Sequence, residues 1–289
     1  MTDNPLPGRV FREKPLSIPK KVIHLQNNHA FSAYMRIGIL YIGIGRYSCF
    51  WQDFYSSCEK YCIPEAEKHY YVFTDQEEMI SGERVEAFHQ DNMEWPFNTL
   101  YRFKMFRRIT DKLAANDYLF FFNANALFTR LVTADDLLPQ AEDYSALCIE
   151  TDPQKMTYER RPESVACIPE GQERYYFSGA LNGGKTASYI QLIEECDALT
   201  DKDYQNNIIP IWHDESILNK FLWDKNVKVM TRQMGKPENW RRPFHAKIIL
   251  RKKESVLGRE WLRNFKGRKH TNTLLRRLLR SLGLVKDTK

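Results

Sequence analysis

The stretch WHDESILNKFL sets Trp212, His213, Asp214 and Glu215 just ahead of Ile217, Leu218, Phe221 and Leu222, which recur at helical spacing. Carboxylates at a helix N-terminus complement its dipole, and adjacent carboxylates are also groups that can take a proton or stabilise a developing cation. The pattern alone leaves both roles open. A second polar pair, Asn123 and Asn125, closes the apolar run YLFFF at 118–122. Such a run without alternation fits a strand covered by helices on both faces, and the carboxyl ends of such strands are where α/β enzymes hold ligands. What two neutral amides would hold there is the question the pair raises. They bring none of the negative charge that a hard divalent cation prefers.

The elements that must position these groups alternate strand and helix from Met35 onward. RIGILYIGIG is an apolar strand ending in glycines, and Phe50, Trp51, Phe54, Tyr55, Cys58 and Cys62 then mark an amphipathic helix that stops before Pro64. YYVFTD (70–75) is a second strand, residues 97–114 fit one long helix after Pro96, and 118–122 is a third strand. This is the front half of a nucleotide-binding α/β fold. Gly43-Ile44-Gly45 begins like a dinucleotide fingerprint, but the third glycine would fall at Ser48, which argues against a Rossmann dehydrogenase. Further on, Gly183-Gly184 reads as a tight turn ahead of the helix TASYIQLIEEC.

Composition narrows the classes. The chain has 289 residues, 43% of them hydrophobic, enough for a large domain core. No apolar run approaches the roughly 20 residues that span a bilayer, and the N-terminus lacks the apolar middle of a signal peptide, so a cytoplasmic location is expected. Six cysteines without a Cys-x-x-Cys pair suit buried, reduced thiols. Of the net charge of +6, residues 264–289 supply +7, leaving the preceding 263 residues at −1. Basicity belongs to the tail, where Leu274, Leu275, Leu278, Leu279 and Leu282 at helical spacing enclose Arg276, Arg277 and Arg280. That pattern suits an interfacial helix on an anionic membrane; without interleaved aromatics or a basic body it does not suit nucleic acid. Three segments follow: an extension at 1–34, a domain at 35–263 and a basic amphipathic tail at 264–289.

TYERRPES at 157–164, the YY-x-x-G-x-x-x-GG pattern at 175–184 and WHDES at 212–216, in that order after FFFNAN, resemble glycosyltransferase family six, the family of the blood-group A/B and α-1,3-galactosyltransferases. The resemblance spans about residues 35–263. It implies a GT-A fold, a Rossmann-like, mostly parallel sheet with helices on both faces. It also implies a retaining hexosyltransferase that moves a sugar from a uridine diphosphate donor to the 3-hydroxyl of a galactoside. Where vertebrate members carry Asp-x-Asp for manganese, this chain has Asn-Ala-Asn, as in a bacterial, metal-independent branch. No metal or other cofactor is therefore expected.

On the same resemblance, Glu215 is the essential catalytic carboxylate. Ile42, Gly43, Ile44 and Tyr47 form a uracil pocket. Arg102, Asn123, Ala124, Asn125, Ser178, Gly179, Ala180 and Asp214 contact donor sugar or phosphate. Arg263, accompanied by Lys253 or its neighbour Lys252, supplies charge for the leaving diphosphate, and Trp212 and His213, with Glu215, face the acceptor. Alanine at position 180 goes with UDP-galactose and glycine with UDP-N-acetylgalactosamine, because one methyl competes with the acetamido group. Residues 148–153 depart from the blood-group acceptor loop. A lipid-linked surface oligosaccharide acceptor would suit the membrane reading of the tail. The competing classes are a non-catalytic carbohydrate-binding protein and a metal-dependent enzyme of another family.

Overall fold

Runs of aromatic and branched apolar residues build the centre of the molecule, which the computed structural model describes over residues 35–150, 152–240 and 245–265, the last three as backbone only. β1 (Arg36–Ile42), β2 (Glu67–Thr74), β3 (Val85–His89), β4 (Tyr118–Phe122), β6 (Tyr144–Glu150), β7 (Tyr176–Lys185) and β8 (Val227–Met230) form one sheet in the order β3-β2-β1-β4-β7-β6-β8. All of these strands run parallel except β7, which pairs antiparallel with both β4 and β6. A smaller sheet joins β5 (Ala126–Phe128), β9 (Lys236–Pro237) and β10 (Ile248–Leu250) in the order β5-β10-β9.

Alternation along each strand sorts the side chains between two apolar layers. Ile37, Ile39, Tyr41, Phe120 and Phe122 pack with α1 (Trp51–Tyr61) on one face. Leu40, Phe73, Leu119 and Phe121 pack on the other against α3 (Arg102–Arg107), α6 (Thr186–Gln205) and α7 (Asp214–Leu222). Each large apolar side chain moved into these layers contributes about 1.5–3 kcal/mol. α1 ends at Tyr61, before Pro64 as expected.

Two expectations require correction. Residues 97–114 form three short helices, α2 (Phe97–Leu100), α3 and α4 (Thr110–Leu113), because Tyr101 (ψ 22°) and Ile109 (φ −129°) leave helical geometry. Tyr101 stacks on Phe97 and meets Tyr204 edge-on at 5.9 Å. Gly183-Gly184 is no turn: both residues lie inside β7, opposite Phe120 and Leu119. A Cβ on Gly183 would collide with the Phe120 ring and the Leu119 carbonyl, so glycine lets β4 and β7 close. Four of the cysteines are buried, whereas Cys49 is exposed and Cys167 half-buried; all six are free thiols.

α5 (Ala134–Leu137) begins at a capping box built by Thr133 and Asp136. The chain ends its described course in α8 (Lys253–Leu257) and α9 (Arg259–Phe265). Among the described residues no helix is long and apolar enough to cross a membrane. The amphipathic tail at 264–289 lies outside the described residues but for the last two positions of α9, and the extension at 1–34 lies wholly outside them.

The Gly183→Ala substitution is expected to cost about 2–3 kcal/mol, measured as a fall in the denaturation midpoint. An unchanged midpoint would show that the strands can part without loss.

Candidate active site

Because β7 runs against its neighbours, its first residues lie at the carboxyl edge of the sheet, where β4 ends. The Asn123 N–H donates to the Ala180 carbonyl at 2.8 Å and locks the two together. α7 then packs across β7. Asn219 clamps it there, accepting from the Phe177 N–H at 2.8 Å and donating to the Phe177 carbonyl at 2.7 Å. This brings the Glu215 carboxylate to the strand, where Oε2 accepts from the Gly179 N–H and Oε1 from the Tyr176 hydroxyl, each at 2.6 Å. A Cβ on Gly179 would stand 3.3 Å from Oε2, so a glycine here gives the carboxylate close access to the backbone. Burial pushes the Glu215 pKa up; hydrogen bonds from Tyr176 and Gly179 and the Arg102 charge oppose that push.

Arg102 balances the pair of carboxylates. Its guanidinium lies 3.0 Å from Asp214 Oδ2, donates to the Gly179 carbonyl at 2.7 Å and sits 4.4 Å from the centre of the Phe121 ring. Both partners of this ion pair are almost wholly buried. Burial pushes the Asp214 pKa up to about 6, with the Arg102 charge lowering it and Glu215 raising it. Arg102 Nε and Nη2 are buried with no hydrogen-bond partner among the described residues. Those two donors suit the hydroxyls or oxyanions of a polar ligand.

The TYERRPES motif holds the segment leading into α7. Glu159, buried, accepts from the Ile211 N–H at 2.9 Å and pairs with Arg161, which also donates to the Ile209 carbonyl. Burial raises the Glu159 pKa, but the Arg161 and backbone bonds outweigh it and hold the carboxyl below its ordinary value. Ser164 and the Val165 N–H are fixed by Asp203 on α6. Trp212 donates its indole N–H to the Thr157 carbonyl at 3.0 Å and remains 48% exposed, an accessible aromatic face. His213 has φ 54° and ψ −122°, a conformation that costs a non-glycine residue about 1–3 kcal/mol. Its ring meets Trp95 edge-on at 4.7 Å.

A cleft of roughly 330 Å³ brings most of the expected residues together: Ile42, Ile44, Tyr47, Arg102, Asn123, Ala124, Ser178, Gly179, Ala180, Trp212, His213, Asp214, Glu215 and Lys253. Lys253 Nζ lies 5.3 Å from the centre of the Tyr47 ring, and Trp261 approaches the same ring edge-on at 5.9 Å. Gly43 stands just behind the wall, its N–H bonded to the Phe73 carbonyl and its carbonyl to Thr74. Asn125 departs from the expected place. It is outside the lining, donating its amide to the Arg251 carbonyl at 2.7 Å while its own carbonyl accepts the Arg251 N–H. It therefore ties β5 to the chain after β10. The Arg263 side chain lies outside the described residues. The lining also includes Trp95, Asn98, Thr99 and Phe121, not expected from the sequence. Asn98 and Thr99 precede Arg102 by four and three residues, so helical spacing from Arg102 was a usable signal.

Fold and cleft together define a nucleotide-sugar transferase architecture, and comparison with known proteins agrees. Residues 23–263 match the description "Glycosyltransferase family 6". The chain is 35% identical over 238 residues to the O-antigen biosynthesis glycosyltransferase WbnI of Escherichia coli, covering 80% of this chain and all of that protein. It is 27% identical over 225 residues to the mouse globoside alpha-1,3-N-acetylgalactosaminyltransferase 1, covering 74% of this chain and 65% of the relative. Against the rat histo-blood group ABO system transferase 2 it is 28% identical over 205 residues, covering 68% and 61%. The chain thus spans less than two thirds of these vertebrate relatives. The protein belongs to glycosyltransferase family 6, with the GT-A-like fold described above. Membership makes it a hexosyltransferase that takes a nucleotide-sugar donor and a glycan acceptor.

Replacing Arg102 with Met leaves Asp214 buried without its partner and is expected to destabilise the fold by about 3–5 kcal/mol in chemical denaturation. Adding Asp214→Asn should recover much of that loss. Equal losses in the single and double variants would show that the ion pair is not the cause.

Proposed function

We propose that the protein is a retaining α-1,3-galactosyltransferase that uses UDP-galactose without a metal ion. The observation that carries this reading is the position of Glu215, exposed to the cleft yet held by two 2.6 Å hydrogen bonds and facing the same space as Asn123 and Ala124. A carboxylate beside the anomeric carbon serves retention by either route, forming a glycosyl-enzyme or stabilising an oxocarbenium ion during front-face attack. Asp214 and the two free donors of Arg102 hold the hydroxyls of the donor sugar. Trp212 offers its exposed face to the acceptor ring beside His213.

The segment after β4 supports a reaction without metal, since its side chains at 123 and 125 are amides and Asn125 is engaged with Arg251. The two carboxylates of the cleft are also committed, Asp214 to Arg102 and Glu215 to Tyr176 and Gly179. Lys253, in the cleft lining, then supplies charge that stabilises the departing diphosphate, a part that the family resemblance also gives to Arg263. Tyr47 stacks on the uracil.

Ala180 lines the cleft, and its methyl takes the volume that an acetamido group at C2 would need. This favours UDP-galactose. The names of the globoside relatives favour the second reading, UDP-N-acetylgalactosamine. The name of the Escherichia coli relative supports a surface oligosaccharide as acceptor, and the composition of the tail supports work at a cytoplasmic membrane face.

The test is turnover with the two donors side by side over a panel of galactosides, for wild type and Glu215→Gln. UDP-galactose should be preferred, and the variant should lose about 10³-fold in kcat while binding UDP within about twofold of wild type. Near wild-type turnover in the variant would remove Glu215 from the chemistry. Donor binding with no UDP release by wild type would leave a carbohydrate-binding protein.

A further inference from the structure

The tyrosine behind Glu215 is outside the cleft lining and only 1% exposed, so it touches neither donor nor acceptor. Its hydroxyl nevertheless donates to Glu215 Oε1 at 2.6 Å. The ring that carries it is held from the other side by Tyr158, edge-on at 5.1 Å, and the Tyr158 ring in turn lies under the Arg160 guanidinium. We propose that Tyr176 is a positioning residue that fixes the orientation of the Glu215 carboxylate. The inference rests on the reading of Glu215 as the catalytic carboxylate.

Two donors suffice to orient a carboxylate only if each is addressed to a different oxygen and neither can rotate away. Gly179 N–H is fixed in β7 and takes Oε2; Tyr176, pinned by its ring, takes Oε1. Losing the hydroxyl leaves one anchor and frees the carboxylate to swing about it. The groups facing Glu215 are Asp214 from its own helix, Arg102 from α3, and Tyr176, Ser178 and the Gly179 N–H from β7; His213 and Lys253 line the same cleft. Burial pushes the Tyr176 hydroxyl well above its ordinary pKa, so it remains a donor at any pH where the fold is stable. Burial also raises Glu215, and the tyrosine is the foremost group opposing that. Without it the folded-state pKa of Glu215 rises further, and activity that requires the ionised form is lost at a higher pH as pH falls.

The experiment follows UDP release from UDP-galactose, with and without galactoside, by wild type, Tyr176→Phe, Tyr158→Phe and Glu215→Gln. Tyr176→Phe keeps the stacked ring and should lower kcat about 10- to 100-fold, leave the donor KM within about twofold and move the acid limb of kcat to higher pH. Tyr158→Phe should match wild type. A Tyr176→Phe enzyme whose KM and Tm change while its kcat and acid limb do not would mean a merely structural tyrosine, and would overturn the proposal. If Glu215→Gln is inactive and Tyr176→Phe behaves as wild type, this inference alone falls. If Glu215→Gln turns over normally, the reading of Glu215 falls and this inference with it.

Discussion

The buried pairing of Arg102 with Asp214 is the interaction on which the cleft depends. It joins α3 to the first residue of α7, and the same guanidinium reaches the Gly179 carbonyl on β7. Three elements from separate parts of the chain thus meet at one charge. A buried ion pair gives little net stability, because desolvation consumes much of the attraction; its larger effect is that neither partner can be left alone. The arrangement fixes where α7 begins, and therefore where Glu215 stands. With Lys253 set against Glu215, the formal charges lining the cleft sum to zero at the place that, on the proposed function, must receive an anionic diphosphate.

That charge balance gives the surroundings their sense. Lys253 lies next to Tyr47 in the cleft lining, and on the proposed function it meets the phosphate end of the donor while the carboxylates meet the sugar end. Two amides after β4 add no further charge. The reversed direction of β7 is the structural condition for all of this. Only an antiparallel strand can present its first residues, Tyr176 to Ala180, at the edge where the parallel strands finish. Asn219 and the Glu159–Arg161 latch then hold the segment around α7 against it, strongly enough to sustain the strained backbone of His213.

Much of this was legible in the sequence where one physical signal dominated. β1, β4 and α1 were readable because uninterrupted apolar runs and 3.6-residue spacing leave little choice of structure. β7 was not, because YFSGALNGG lacks the branched residues of a strand and its glycines mimic a turn; they serve instead to let β4 approach. The helix over 97–114 had the right periodicity, but Tyr101 and Ile109 leave helical geometry at positions that the apolar spacing does not mark. Motif resemblance located Arg102 and Glu215, yet Asn125 shows its limit. A side chain two residues from Asn123 turns to the Arg251 backbone, a contact 126 residues distant in the chain that no local pattern encodes. Tyr176 was passed over for a related reason, since its role depends on what lies across α7.

The most direct test of the central claim, that protein side chains alone handle the charge of the donor, is UDP-galactose turnover by wild type in EDTA and then with added manganese. The account predicts undiminished turnover in EDTA and no gain with manganese. Strict dependence on manganese would contradict it and would mean that the segment after β4 holds something other than sugar or phosphate.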